Sequence, residues 1–220
     1  MSKIRTLSQL QENLDNEMGW RIKELSSLKV SVKGAVSIAE PTIVRAGIAL
    51  LYAHWEGFIK NGSTAYLNYI TNQGIKYEEL KSCFVVFGLK GYLNTLTVSR
   101  KAEANEKAID FIMEQMTNPA KISLSSAIDT ESNLTSKVFD NIAVSLSISR
   151  TAYESKYNLI DQSLVLRRHK IAHGEYLDLS AKEWRSLTDE VLSLMRQFKT
   201  DIENAASLQL YRRAASEIAA

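Results

Sequence analysis

The stretch of this chain whose residue types best suit chemistry is Leu166-Arg167-Arg168-His169-Lys170-Ile171-Ala172-His173-Gly174, where five of nine side chains can carry positive charge. It contains two of the three histidines, the third being His54. A guanidinium does not lose its proton and is rarely buried without a partner. Arg167 and Arg168 fall among apolar positions of the surrounding pattern, so each asks for a carboxylate or a phosphate. Imidazole titrates near neutrality and can take or give a proton. An arginine and a histidine, with no nucleophilic Ser or Cys beside them, suit RNA cleavage in which the ribose 2′-hydroxyl attacks. The histidine would remove that proton or protonate the departing 5′-oxygen, worth ~10²–10⁴-fold. The arginine would hold charge growing on the phosphate oxygens, worth ~10²–10³-fold. On an ideal helix Arg168 and His173 stand ~140° apart. They converge only if the helix loosens near Gly174 or if a second subunit completes the site, and a two-fold dimer supplies a second histidine at the same interface. The same spacing also fits a structural histidine, which the dipole favours near any helix C-terminus.

Helices must position these groups. Leu7, Leu10, Leu14, Met18, Ile22 and Leu25 step by three and four, which predicts a first helix from Ile4 to about Leu28. Pro41 suits the first turn of a second helix reaching about Thr71, with Gly57 and Gly62 as points where it could bend. Further helices are expected over Tyr77 to Leu96, Ser99 to Met116 and Thr135 to Leu146, with residues 120–134 as a connection. The motif region, 159–174, reads as a helix with apolar residues all round, buried on most sides and ending at Gly174. Ser180 and Glu183 form a capping box opening a last long helix, about 181–217. Tyr211-Arg212-Arg213 would then be a solvated helix face.

No fixed repeat and no Pro/Gly/Ser linker divides the 220 residues, so one all-α domain over 1–220 is the simplest account. Two prolines, hydrophobics at 45% and a net charge of +2 exclude a largely disordered chain and a polybasic one. One cysteine, Cys83, and three histidines cannot build a zinc framework. The phosphate loop GxxxxGK[ST] and the GxGxxG, CxxC, HExxH and GxSxG motifs are absent, so no cofactor and no metal is expected. No apolar run reaches a membrane span and the N-terminus carries charges where a leader needs an apolar core, which predicts a cytoplasmic protein without membrane contact. His54 and Cys83 read as core residues. Glu56, deep in the second helix, wants a cation such as Arg45, Arg167 or Arg168.

The string from Arg168 to Gly174 resembles the R-x4-6-H signature of the HEPN superfamily, many of whose members are helical, metal-independent ribonucleases. The resemblance extends to Ile160-Asp161 and Leu164-Val165, to Asp129-Thr130-Glu131-Ser132-Asn133-Leu134, and to Leu51-Tyr52-Ala53-His54-Trp55-Glu56-Gly57-Phe58. Together these look like a bacterial and cyanobacterial HEPN-like subfamily, over roughly residues 40–200. The resemblance implies an antiparallel bundle of long helices, a homodimer, and a site in the cleft where two motifs meet. Arg168 matches the motif arginine, His169 the polar residue after it, and His173 the motif histidine. His169 stands where asparagine is usual, so it either orients substrate, adds a titratable group or is tolerated. Arg167 also satisfies the loose spacing and, with Lys170 and Glu56, is expected to contact substrate. Glu56 resembles an acidic residue that some HEPN proteins place near the motif. The implied function is a metal-independent endoribonuclease, a toxin of a toxin-antitoxin or anti-phage defence system. Its expected partners are RNA, a second copy, and an antitoxin or defence protein. The alternative is a non-catalytic HEPN-like dimer that binds a nucleotide, RNA or partner protein through the same cleft. A scaffold of long helices is a third reading, which the basic string inside an apolar helix disfavours.

Overall fold

The computed structural model describes residues 3–124 and 127–214. The Thr6 hydroxyl accepts the Gln9 amide at 3.2 Å while the Gln9 side chain accepts the Thr6 amide, a reciprocal cap that opens α1 (Leu7–Gly34). Leu10, Leu14, Met18, Leu25 and Val32 lie buried along one stripe, so the helix runs about two turns beyond its predicted end at Leu28. Pro41 sits in the first turn of α2 (Glu40–Thr71), whose 32 residues span ~48 Å. α2 is one continuous helix through Gly57 and Gly62. A Cβ at Gly57 would stand 3.1 Å from Arg21 Nη2, so this glycine lets α1 close on α2.

Ser180 and Glu183 form the expected box and open α8 (Ala181–Ser207). α1, α2 and α8 pack against one another as the centre of the fold. His54 lies beside Glu24 and Asn61 beside Glu17, so α1 and α2 are antiparallel. Lys29 pairs with Asp189 and Lys199 with Asp15, which sets α8 antiparallel to α1 and alongside α2 in the same direction. Between α2 and α8 the chain forms α3 (Ser82–Val98), α4 (Ala102–Gln115), α5 (Ser136–Ser145), one turn of α6 (Thr151–Glu154), a π-helical segment over Leu159–Val165, and α7 (Leu166–Ala172). Phe139 of α5 centres the aromatic core, its ring 5.4 Å from Trp55, 4.8 Å from Tyr153 and 5.7 Å from Phe198. The fold is all-α, and among the described residues the only extended pairings are the isolated bridges Lys76 to Pro119 and Leu80 to Arg212.

Further boundaries differ from the periodicity, two of them for reasons the structure shows. The third helix starts at Ser82, not Tyr77. Tyr77 opens a single 3₁₀ turn, and its hydroxyl donates to the Lys121 carbonyl and accepts the Lys121 amide, which holds the chain out of a helix there. The last helix ends at Ser207, where Gln209 at φ 53° reverses the chain. Tyr211 is buried against Tyr66 and Tyr69, its carbonyl accepting the Lys81 amide at 2.9 Å. Arg212 pairs with Glu79 at 3.0 Å. Tyr211-Arg212-Arg213 is therefore a tie across the Glu79 turn, with Tyr211 buried and both arginines half-buried, rather than a solvated helix face, and residues 215–217 of the expected helix lie outside the described residues. Among the described residues no helix is long and apolar enough to cross a membrane.

Candidate active site at the end of the seventh helix

The π-helical segment positions the motif. The Leu166 amide bonds to the Asp161 carbonyl, an i→i+5 pattern wider than the α turn, and Ile160, Leu164 and Val165 are buried beneath it. Asp161 faces α5: its carboxylate accepts the Ser136 amide at 2.7 Å and the Ser136 hydroxyl at 2.6 Å, satisfying an orphan amide in the first turn of α5. The far end of α7 is closed by Gly174 at φ 73°, with the Gly174 amide on the Ile171 carbonyl at 3.1 Å and the Glu175 amide on that of Lys170 at 2.9 Å. These two bonds cap the last carbonyls in the pattern that needs a left-handed residue after a helix. Arg45 of α2 then donates to the Glu175 carbonyl at 2.9 Å and ties this end to the bundle.

The burial predicted for the whole motif helix holds only for its π half. α7 has no buried residue, and Leu166, His169, Ala172 and His173 are exposed. The helix loosens before the motif, not at Gly174, and α7 lies at the edge of the fold, backed by α2. Arg168 turns inward to α2 and the 129–135 connection. Its Nη1 donates to Asn133 Oδ1 at 2.7 Å, and its guanidinium carbon lies 4.7 Å from the centre of the Tyr52 ring. A bond from a charged donor contributes ~1.5–3 kcal/mol, and a partly desolvated cation over an aromatic face ~0.5–2 kcal/mol. Tyr52 is buried; its hydroxyl accepts the Leu134 amide at 2.8 Å, and the Glu56 carboxylate acts on it electrostatically. Burial raises the phenol's pKa, the Leu134 bond and the Arg168 charge lower it, and Glu56 raises it further.

The predicted residues thus fall into separate groups. Arg168 and Glu56 both act on Tyr52, with opposite sign. His169 and His173, one turn apart, face each other with ring centres 4.2 Å apart on the exposed side. Arg167 looks the other way, lining a shallow groove with Ser163, Ser186 and Glu190 and acting on Glu183 of α8. Lys170 is half-buried and contributes its carbonyl to the cap. The cation expected for Glu56 is not there: among the described residues it forms no ion pair, Arg45 being committed to the Glu175 carbonyl, and its charge acts on the Tyr52 phenol. His54 is buried, its Nε2 2.8 Å from Glu24 and its ring edge-on to Trp20, away from this site. Cys83 is half-buried against the core, where burial raises its thiol pKa. Among the described residues no three His, Cys, Asp or Glu side chains gather to hold a metal.

The family model described as the HEPN_MAE_28990-like HEPN domain matches residues 10–211. The chain belongs to the HEPN superfamily. No curated protein and no solved structure matches it. Membership of the HEPN superfamily points to a nuclease-like or RNA-related function. In this HEPN chain two side chains that touch the motif arginine, Tyr52 and Asn133, carry no catalytic signature of their own. Their signal is positional: each sits in one of the two strings, Leu51 to Phe58 and Asp129 to Leu134, that resemble the family outside the motif, and the fold brings both strings onto Arg168.

Proposed function

We propose that this HEPN protein is a metal-independent endoribonuclease that cleaves by attack of the ribose 2′-hydroxyl on the adjacent phosphate, leaving a 2′,3′-cyclic phosphate. The observation that carries the reading is the exposed pair His169 and His173, 4.2 Å apart, at the end of the helix whose Arg168 is held by Asn133 and Tyr52. Two adjacent imidazoles can divide the roles of base and acid, and RNA supplies the nucleophile. His173 acts as acid or base, His169 assists, and Arg168 binds the phosphate through the donors that Asn133 leaves free. Arg167, Lys170 and Glu56 are substrate-side groups in this reading, Glu56 acting through Tyr52.

Because Arg168 turns toward α2 while the histidines face solvent, a second copy that brings its own α7 against this edge makes the more complete site. The active form in this reading is a homodimer, with the two motifs facing across a cleft. A nuclease of this kind suits a toxin-antitoxin or anti-phage system, with a partner protein that covers the cleft until release. One observation favours the non-catalytic alternative: Arg168 already has a carbonyl and a ring for partners, as a structural arginine would.

The deciding experiment incubates wild type and His173→Ala with total RNA and tRNA in excess EDTA and maps the ends. Cyclic phosphate ends from wild type, absent with a His173→Ala variant whose circular dichroism is unchanged, support the ribonuclease. Intact RNA from both leaves the binding reading standing. Sedimentation of the same samples reports the dimer.

A further inference from the structure

Three large aromatic side chains are exposed among the described residues: Trp20 at 48%, Tyr92 at 37% and Tyr176 at 81%. Trp20 lies under the Arg21 guanidinium and against His54, and Tyr92 stacks on Phe111 at 3.8 Å. Tyr176 alone has no ring, hydrogen-bond or ionic partner among the described residues. Its backbone is nonetheless fixed on both sides. Before it, Glu175 is held by the Lys170 carbonyl and by Arg45; after it, Leu177 packs on the core and Leu179 is buried. The chain therefore anchors its neighbours and holds this ring out in water, three residues past His173 and at most ~10 Å of chain away.

A single exposed apolar residue needs no explanation. An unpartnered aromatic on a backbone held at both ends, three residues past the exposed His173 and next to the Glu175 carbonyl that Arg45 holds, suits a ligand with both a flat π face and anionic oxygens. A nucleotide has both. Attack by a 2′-hydroxyl needs an unstacked nucleotide at the scissile bond, and proteins hold splayed RNA bases on aromatic side chains. We propose that Tyr176 is a stacking platform for an unpaired base flanking the scissile phosphate, so that the substrate is single-stranded or looped RNA. This rests on the ribonuclease reading and extends it to substrate choice.

The test uses the full chain and an oligonucleotide uniformly 2′-O-methylated, which cannot undergo attack by its own hydroxyl, carrying 2-aminopurine as a fluorescent base. Wild type, Tyr176→Phe and Tyr176→Ser are compared for affinity, 2-aminopurine quenching and sedimentation, and for cleavage of the unmodified strand. The expected result is a loss of about 5- to 100-fold in affinity for Tyr176→Ser, with Tyr176→Phe close to wild type. Quenching should follow the aromatic ring, and a fully paired duplex should show no dependence on it. Equal affinity and quenching for wild type and Tyr176→Ser overturn the platform, whatever the cleavage result. No binding by wild type overturns it as well. Ring-dependent binding without cleavage of the unmodified strand keeps the platform and removes the ribonuclease. A Tyr176→Ser variant that sediments at a lower mass than wild type assigns the ring to a contact between copies, and the proposal fails.

Discussion

Arg168 donates to the side-chain carbonyl of Asn133 across 2.7 Å, joining the motif helix to a connection 35 residues upstream. The bond leaves the remaining guanidinium donors for an anion while fixing where they stand. Asn133→Ala should therefore lower RNA cleavage about 10-fold or more, with a smaller loss of stability. Asn133→Asp, which pairs the charge outright, should bind phosphate less well than Asn133→Ala. Cleavage rates and urea midpoints for both variants check this; a rate unchanged in Asn133→Ala would show that the bond does not orient the arginine.

The Tyr52 hydroxyl and ring do separate jobs and can be separated by substitution. Tyr52→Phe keeps the face under Arg168 but strands the Leu134 amide, which should cost about 1–3 kcal/mol in stability while leaving the arginine in place. Tyr52→Leu removes both and should lose more activity, and more stability, than Tyr52→Phe. If the two variants have equal activity, the ring under the guanidinium contributes nothing to orienting it.

Gly174 closes α7 at φ 73°, a conformation that Ala adopts only with strain. Gly174→Ala should destabilise by ~1 kcal/mol, a melting shift of about 2–4 °C at this size, whereas Gly174→Asn should fall between. Cleavage should drop more than stability, because the cap sets His173. Calorimetry beside a cleavage assay reads both.

At Gly47 a Cβ would stand 2.7 Å from Trp184 Nε1, against an indole that is fully buried. Gly47→Ala should destabilise by about 1–3 kcal/mol through overpacking of α2 on α8. Combining it with Trp184→Phe should recover part of that loss, a coupling that a double-mutant cycle in urea would register; additive effects would count against a direct clash.

Burial lowers the pKa of His54 below its ordinary value of 6.5, with Glu24 opposing and Arg21 adding to the shift. Below that value the unfolded chain takes up protons that the folded chain refuses. The contribution of His54 is therefore complete above pH ~6.5 and shrinks as pH falls through that value toward the folded pKa. Urea midpoints measured from pH 8 down to 5.5 should decline more steeply for wild type than for His54→Gln, and parallel profiles would contradict the assignment.

Much of the fold was legible because apolar stripes repeat at helical spacing. Pro41 falls in the first turn of α2 and the Ser180 box opens α8 because those signals are local and strong. The reading failed where distant partners decide: Tyr77 is held by Lys121, and Tyr211 by Lys81 and the Tyr66 and Tyr69 rings, none of which is adjacent in sequence. At the site, Arg168, His169 and His173 were visible from type and spacing. Their separation onto two sides was not, because the ideal-helix angle says nothing of what each side meets. Asn133 and Tyr52 act through positions that only the packing of α2, α7 and the 129–135 connection creates.

The widened turn over Leu159–Val165 also governs how the chain tolerates changes of length. An i→i+5 segment carries surplus residue over an α-helix of the same rise, so a single deletion there can be absorbed by tightening the turn, the flanks keeping their phase. A deletion between His169 and His173 has no such slack: it rotates everything beyond it by ~100° and takes the two histidine faces apart. The segment acts as a spacer that insulates the motif's register from the length of the chain before it, and homologous chains should concentrate one-residue gaps there rather than within the motif.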